Sequence, residues 1–183
     1  MTLNELKNEC IKCTKCPLCE GRNNVVFGDG NENADILLIG EAPGANEDLE
    51  GKPFIGRSGK LLDDMMHEAG LTREKNIFIT NTVKCRPPEN RDPKPTEAAL
   101  CREWLDLQIE IIKPKIIVCV GRISAQKIID KNFKVTQMHG EFIEKDGILY
   151  TATYHPAAIL RNINNRPIAV ADWVKIKEKA ESL

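Results

Sequence analysis

The segment Ala34-Asp-Ile-Leu-Leu-Ile-Gly-Glu-Ala-Pro-Gly44 runs apolar to Gly40 and then breaks on a proline and a glycine. A short unbroken apolar run closed by turn residues marks a strand buried on both faces. Three further runs read the same way: Asn76–Val83, Lys115–Gly121 and Leu149–Thr153. Helical spacing lies between them. Leu61, Leu62, Met65, Met66 and Ala69 repeat on one face after Ser58, a suitable N-cap, and Gly70 ends the pattern. A second face, Leu100, Trp104, Leu107 and Ile111, follows Thr96 and must close before Pro114. Shorter helical stretches fall near Ser124–Lys131 and over 167–181, while Phe133–Glu144 reads as a short hairpin. Strands alternating with helices predict a three-layer α/β/α fold with a central, mainly parallel four-stranded sheet, one domain over residues 1–183.

In such sheets ligands bind beyond the carboxyl ends of the strands. Three polar segments fall there, Gly40–Gly44, Asn81–Cys85 and His155–Asn162, distant in sequence yet sharing one rim. The rest of the composition is that of an ordinary globular chain: 42% apolar, 29% charged, net charge −1. That balance argues against a surface that binds polyanions everywhere, and leaves room for a local positive face. The first residues lack the apolar run of a signal peptide and no stretch is long enough to span a bilayer, so a cytoplasmic protein without a membrane partner is expected.

Seven cysteines in that compartment call for metal rather than disulfides. Cys10, Cys13, Cys16 and Cys19 recur every third residue, with Cys85 and Cys101 far downstream. Read locally, the run resembles a ferredoxin cluster loop, although the last spacing and the proline position differ. Read globally, one C-x2-C pair joins Cys85 and Cys101 and staples the N-terminal segment to the middle of the chain. Zinc would also accept four thiolates. Cys119, inside an apolar strand, reads as core.

Six elements stand in the order and spacing of one family: Cys13-Thr-Lys-Cys16, Gly40-Glu-Ala-Pro-Gly44, Gly51-Lys-Pro-Phe-Ile-Gly-Arg-Ser-Gly59, Thr80-Asn-Thr-Val-Lys-Cys-Arg-Pro-Pro88, Cys101, and His155-Pro-Ala-Ala-Ile-Leu-Arg-Asn162. Over nearly its whole length the chain resembles the family 4 uracil-DNA glycosylases, the iron–sulfur type. The resemblance implies a [4Fe–4S] cluster, structural and DNA-positioning in role, on Cys13, Cys16, Cys85 and Cys101, with Cys10 and Cys19 outside the pattern. It also implies uracil-containing DNA as partner, with a sliding clamp as a candidate second partner, a monomeric state and a place on the nucleoid.

A base inside a duplex must be flipped out before it can be read on its Watson–Crick edge. The Asn81 amide can accept from uracil N3–H and donate to O4, a pattern that cytosine reverses. By the resemblance, Phe54 is a platform under the ring and Glu47 stands near C5, where it leaves no room for the methyl of thymine. Bond cleavage leaves negative charge on the departing base, mostly on O2, to which His155 and a backbone N–H near Ala42 can donate. Glu41 sits where the best-studied uracil glycosylase family carries a water-positioning Asp, and it either positions water or stabilises the cationic sugar. Lys84 and Arg86 are the expected phosphate contacts, in a segment that also holds Arg91, Lys94 and Arg102. Ala158, Ile159, Leu160 and Arg161 form an apolar tip suited to filling the gap left by a flipped nucleotide.

Two other classes fit parts of the pattern. An iron–sulfur electron-transfer or redox-sensing protein accounts for the cysteine run and leaves the three rim segments without a task. A non-catalytic DNA-binding relative accounts for the rim without turnover. A related branch becomes trapped on DNA through a histidine in an inserted loop, and Pro87–Pro95 contains no histidine.

Overall fold

The four apolar runs form the centre of one sheet: Ile36–Gly40 (β2), Ile77–Asn81 (β3), Ile116–Val120 (β4) and Ile148–Thr153 (β6). β3, β2, β4 and β6 lie side by side and parallel. The computed structural model describes residues 1–183 and adds two antiparallel edge strands, Asp29–Gly30 (β1) beside β3 and Ile143–Lys145 (β5) beside β6. The order is β1-β3-β2-β4-β6-β5, so the expected four strands are the parallel middle of a six-stranded sheet.

Both additions escape pattern reading for physical reasons. β1 is two residues long and shows no alternation. The β5–β6 hairpin turns on Asp146-Gly147, both at positive φ, a strong turn signal lying just past the hairpin expected at Phe133–Glu144. The segment expected as a hairpin instead holds one turn of helix, Val135–Met138, and irregular chain leading into β5.

The helices are Leu3–Cys10 (α1), Leu18–Gly21 (α2), Ala45–Glu50 (α3), Arg57–Glu68 (α4), Pro95–Ile112 (α5), Arg122–Ile128 (α6), Val135–Met138 (α7), Pro156–Arg161 (α8) and Arg166–Ser182 (α9). Successive strand residues point to opposite faces. Leu37, Ile39, Ile117 and Cys119 pack with α1, α5 and α6. Ile36, Leu38, Ile116 and Val118 pack with α4, α8 and α9. Three layers result, and no helix is long and apolar enough to cross a membrane.

α1 lies in the N-terminal segment, where the apolar spacing predicts no helix. Its signal was Thr2-Leu-Asn-Glu5: the Glu5 amide donates to Thr2 Oγ1 at 3.1 Å and the Thr2 amide to Glu5 Oε2 at 3.0 Å. In α5 the buried face is Cys101, Trp104, Leu105, Gln108 and Ile112, and Leu100 is exposed. The apolar-periodicity reading missed this offset because two of the inward side chains, Glu97 and Gln108, are polar.

From β2 the chain crosses to β3 on one side and then returns to β4 on the other. The carboxyl ends of β2 and β4 therefore diverge at a topological switch point, the usual place for a ligand crevice in an open α/β sheet.

Candidate active site

A cavity of about 940 Å³ opens at that switch point, at the upper end of the range for small-molecule sites. Glu41, Ala42, Phe54, Asn81 and His155 all line it, so the rim segments converge as expected. The loops after β2 and β3 are laced together. Thr82 donates from its amide to the Gly40 carbonyl at 2.9 Å and from Oγ1 to the Glu41 carbonyl at 2.6 Å.

Asn81 ends β3 opposite Gly40 of β2. Its Oδ1 is buried and has no hydrogen-bond partner within the protein. Such an acceptor costs about 1–3 kcal/mol while it lacks a donor. A side chain at Gly40 would collide with Asn81 Oδ1 and with the Phe54 ring. Glycine thus lets the amide oxygen and the aromatic ring both close against the β2 backbone. Sequence reading placed Gly40 in a motif without assigning it this role.

Phe54 adopts φ 52°, a left-handed conformation that costs a non-glycine residue about 1–3 kcal/mol. Its surroundings hold it there. Arg73 donates to the Pro53 carbonyl at 2.6 Å and to the Phe54 carbonyl, and a Cβ at Gly59 would overlap the Phe54 backbone. The ring meets the His155 imidazole at a centroid distance of 5.7 Å and a 40° tilt.

His155 follows β6 as the N-cap of α8, and its Nδ1 accepts from the Ala157 amide at 3.0 Å. With Nδ1 used as an acceptor, the ring proton of the neutral form belongs on Nε2. Desolvation, aided by the positive charge of Arg161, lowers the pKa to about 4. At neutral pH the side chain is an uncharged donor in fixed orientation.

Glu41 shows the opposite effect. Burial raises its pKa to about 7, and the neighbouring Asp92 carboxyl adds to the rise, while Lys127 and Arg122 oppose it. Lys127 Nζ is itself buried without a hydrogen-bond partner. Neither Asp92 nor Lys127 is visible as a partner of Glu41 from sequence, since they come from a proline-rich loop and from α6.

Glu47 lines the same cavity but is not a free acid. Its carboxylate accepts from the amides of Gly44, Ile55 and Gly56 at 3.0, 3.0 and 3.1 Å. It clasps the loop that carries Phe54 to the loop after β2.

The DNA-facing expectations need two corrections. Lys84 is 1% exposed, with Nζ turned inward, and cannot reach a phosphate. Ile159 is fully buried against α4 and α9 and anchors α8, so what the tip leaves at the surface is half-buried Ala158 and Leu160 and exposed Arg161. Of the neighbouring cations, Arg91 is held by Glu97 through bonds of 2.8 and 2.9 Å, and Arg102 by Asp106. Arg86, bonded to Asn90 at 2.7 Å, and Arg161 remain near the cleft surface.

Away from the cleft, Cys10, Cys13, Cys16, Cys19, Cys85 and Cys101 all line one apolar pocket. No three of these side chains stand close enough to hold a single metal ion. The donors around the sulfurs are those that thiolates require: Trp104 Nε1 reaches Cys13 Sγ at 3.2 Å and Arg22 reaches Cys85 Sγ at 3.5 Å.

The sequence model of the uracil DNA glycosylase superfamily matches residues 27–175. The Type-4 uracil-DNA glycosylase of Sulfurisphaera tokodaii is 49% identical, over 98% of this chain and 85% of its own length. Those of Thermotoga maritima and Archaeoglobus fulgidus are 43% and 42% identical, over 96% and 97% of this chain and 93% and 92% of theirs. On the family model and these relatives, the chain belongs to the uracil DNA glycosylase superfamily.

Proposed function

We propose that the chain hydrolyses the N-glycosidic bond of uracil in DNA, releasing the base and leaving an abasic site. One observation carries the reading: Asn81, whose buried Oδ1 has no partner within the protein, lines the same cavity as Phe54 and His155. In that cavity the amide accepts from N3–H and donates to O4, and the Phe54 ring stacks on the base. As the bond breaks, His155 Nε2–H donates to O2, where negative charge gathers. Glu41 as a carboxylate faces the sugar side, stabilising its positive charge and orienting water. Glu47 closes the wall where a 5-methyl group would lie. No lysine lines the cavity, so base release without a Schiff base is the expected chemistry.

The cysteine pocket fits a [4Fe–4S] cluster on Cys13, Cys16, Cys85 and Cys101, a group that spaces its thiolates more widely than one ion does. When bound, it supplies a structural tie between the N-terminal segment, the loop after β3 and α5. DNA as substrate places the enzyme on the nucleoid in the cytoplasm. One chain supplies every group in the cleft, so a monomer suffices, and a sliding clamp is the candidate partner for delivery.

The direct test uses a labelled duplex with one U:G pair, incubated with the protein and then treated with alkali. Breakage at uracil is expected, with a T:G duplex left whole. An unbroken U:G strand would remove the proposed activity.

The rate is also expected to rise with pH through about 7, because the carboxylate form of Glu41 grows as its proton leaves. Asp92→Asn removes the adjacent acid and moves this limb to lower pH. A limb that stays in place in that variant would show that Glu41 ionisation does not set it.

A further inference from the structure

Lys84, placed by sequence at the DNA surface, has another role. Its Nζ donates to Thr80 Oγ1 at 2.5 Å, to the Asn81 carbonyl at 2.8 Å and to Gln108 Oε1 at 2.7 Å. An ammonium has three protons and no lone pair, and three oxygens receive them. Those acceptors are themselves fixed, since Thr80 Oγ1 and Gln108 Nε2 both donate to the Phe27 carbonyl at 2.8 Å. All three are neutral, and no carboxylate is bonded to the buried cation. A buried charge without a counter-charge is expensive, so the compensation must come from another side. That side is the cysteine pocket, which Lys84 lines together with Cys10, Cys85 and Cys101.

We propose that Lys84 is the internal counter-cation of the iron–sulfur centre and, through its bond to the Asn81 carbonyl, the positioning residue that links that centre to the base-reading amide. This rests on the cluster reading above. Buried thiolates carrying a cluster present net negative charge, and the ammonium answers it from within the protein. The same ammonium grips the backbone of Asn81, which lines the catalytic cavity. Asn81 lines the catalytic cleft and Lys84 the cysteine pocket, and the bond from Lys84 Nζ to the Asn81 carbonyl joins the walls of the two cavities.

The test compares wild type, Lys84→Met and Gln108→Glu, with Cys85→Ser as the iron-free control. Iron and sulfide per chain, the midpoint potential of the cluster, and kcat and KM on a U:G duplex are measured, with circular dichroism as the check on folding. A nearby positive charge favours the reduced cluster, because potential follows the net charge around the centre. Lys84→Met is expected to lower the midpoint potential and to raise KM by about 10-fold, with kcat changing less. Gln108→Glu leaves the lysine in place but sets a carboxylate against it, at the loss of the bond to the Phe27 carbonyl. It is expected to lower the potential while KM stays nearer wild type, which separates charge from positioning and keeps the test decisive if Lys84→Met fails to fold.

A purely structural lysine would leave the potential of folded, iron-loaded variants unmoved. That result in Gln108→Glu, or an unchanged potential and KM in Lys84→Met, overturns the assignment. Wild-type protein free of iron and sulfide would overturn the cluster reading itself, a different failure.

Discussion

His155→Ala is expected to cut the rate of uracil release at saturating substrate by at least ~10²-fold, with KM little changed. The ring donates to an oxygen that becomes strongly basic only as the glycosidic bond breaks, so its contribution belongs to the transition state rather than to binding. Two structural facts prepare it for that task. The Ala157 amide occupies Nδ1, which leaves hydrogen on Nε2. Desolvation and Arg161 hold the pKa at about 4, so the imidazole is neutral across the working range and its titration contributes no limb near pH 7. A neutral donor also avoids fixing a full positive charge beside the cationic sugar. The alanine variant loses a helix cap as well, a cost of about 1 kcal/mol that leaves most of the stability intact. A variant that folds, binds the U:G duplex and retains wild-type kcat would take His155 out of the chemistry.

The parts of the site that sequence made visible are those tied to strand ends. Asn81 and His155 each terminate or closely follow an uninterrupted apolar run, and topology alone then carries them to one rim. The parts it hid depend on partners from elsewhere in the chain. Lys84, in a basic, proline-rich stretch, reads as a phosphate ligand until Thr80 and Gln108 are seen around its Nζ. The clue was Gln108, four residues after Trp104 and thus on the inward face of α5, where a polar side chain needs a polar partner. Ile159 looked like a wedge because it lies among apolar neighbours, yet a six-residue helix must bury some side chain to stay docked. Glu47 and Asp92 show the same limit. Glu47 lies in a helix of six residues and Asp92 in a loop, both too short of periodicity to place them, and only the fold reveals that one clasps three amides while the other stands beside Glu41. Phe54 fell between these cases: an aromatic in a glycine-rich loop was conspicuous, but its left-handed backbone and the Arg73 brace were not.

Asn81→Ala is expected to lower kcat/KM for uracil by at least ~10²-fold, a loss of the size seen when a directing polar contact is removed from an active site. Unlike the histidine variant, it should lose binding and selectivity together, because the amide meets N3–H and O4 in the bound ground state as well as in the transition state. Its stability is expected to move the other way. In the free protein Oδ1 is buried and unpaired, so desolvation of that oxygen already weighs on the native state. Truncation removes the unpaired acceptor and empties only a side of an open cleft, and the melting temperature should match or exceed that of the wild type. A residue that merely capped the end of β3 would behave in reverse, with activity kept and stability lost. The two measurements on one variant therefore separate a base-reading amide, held ready at a cost to the resting fold, from a structural one.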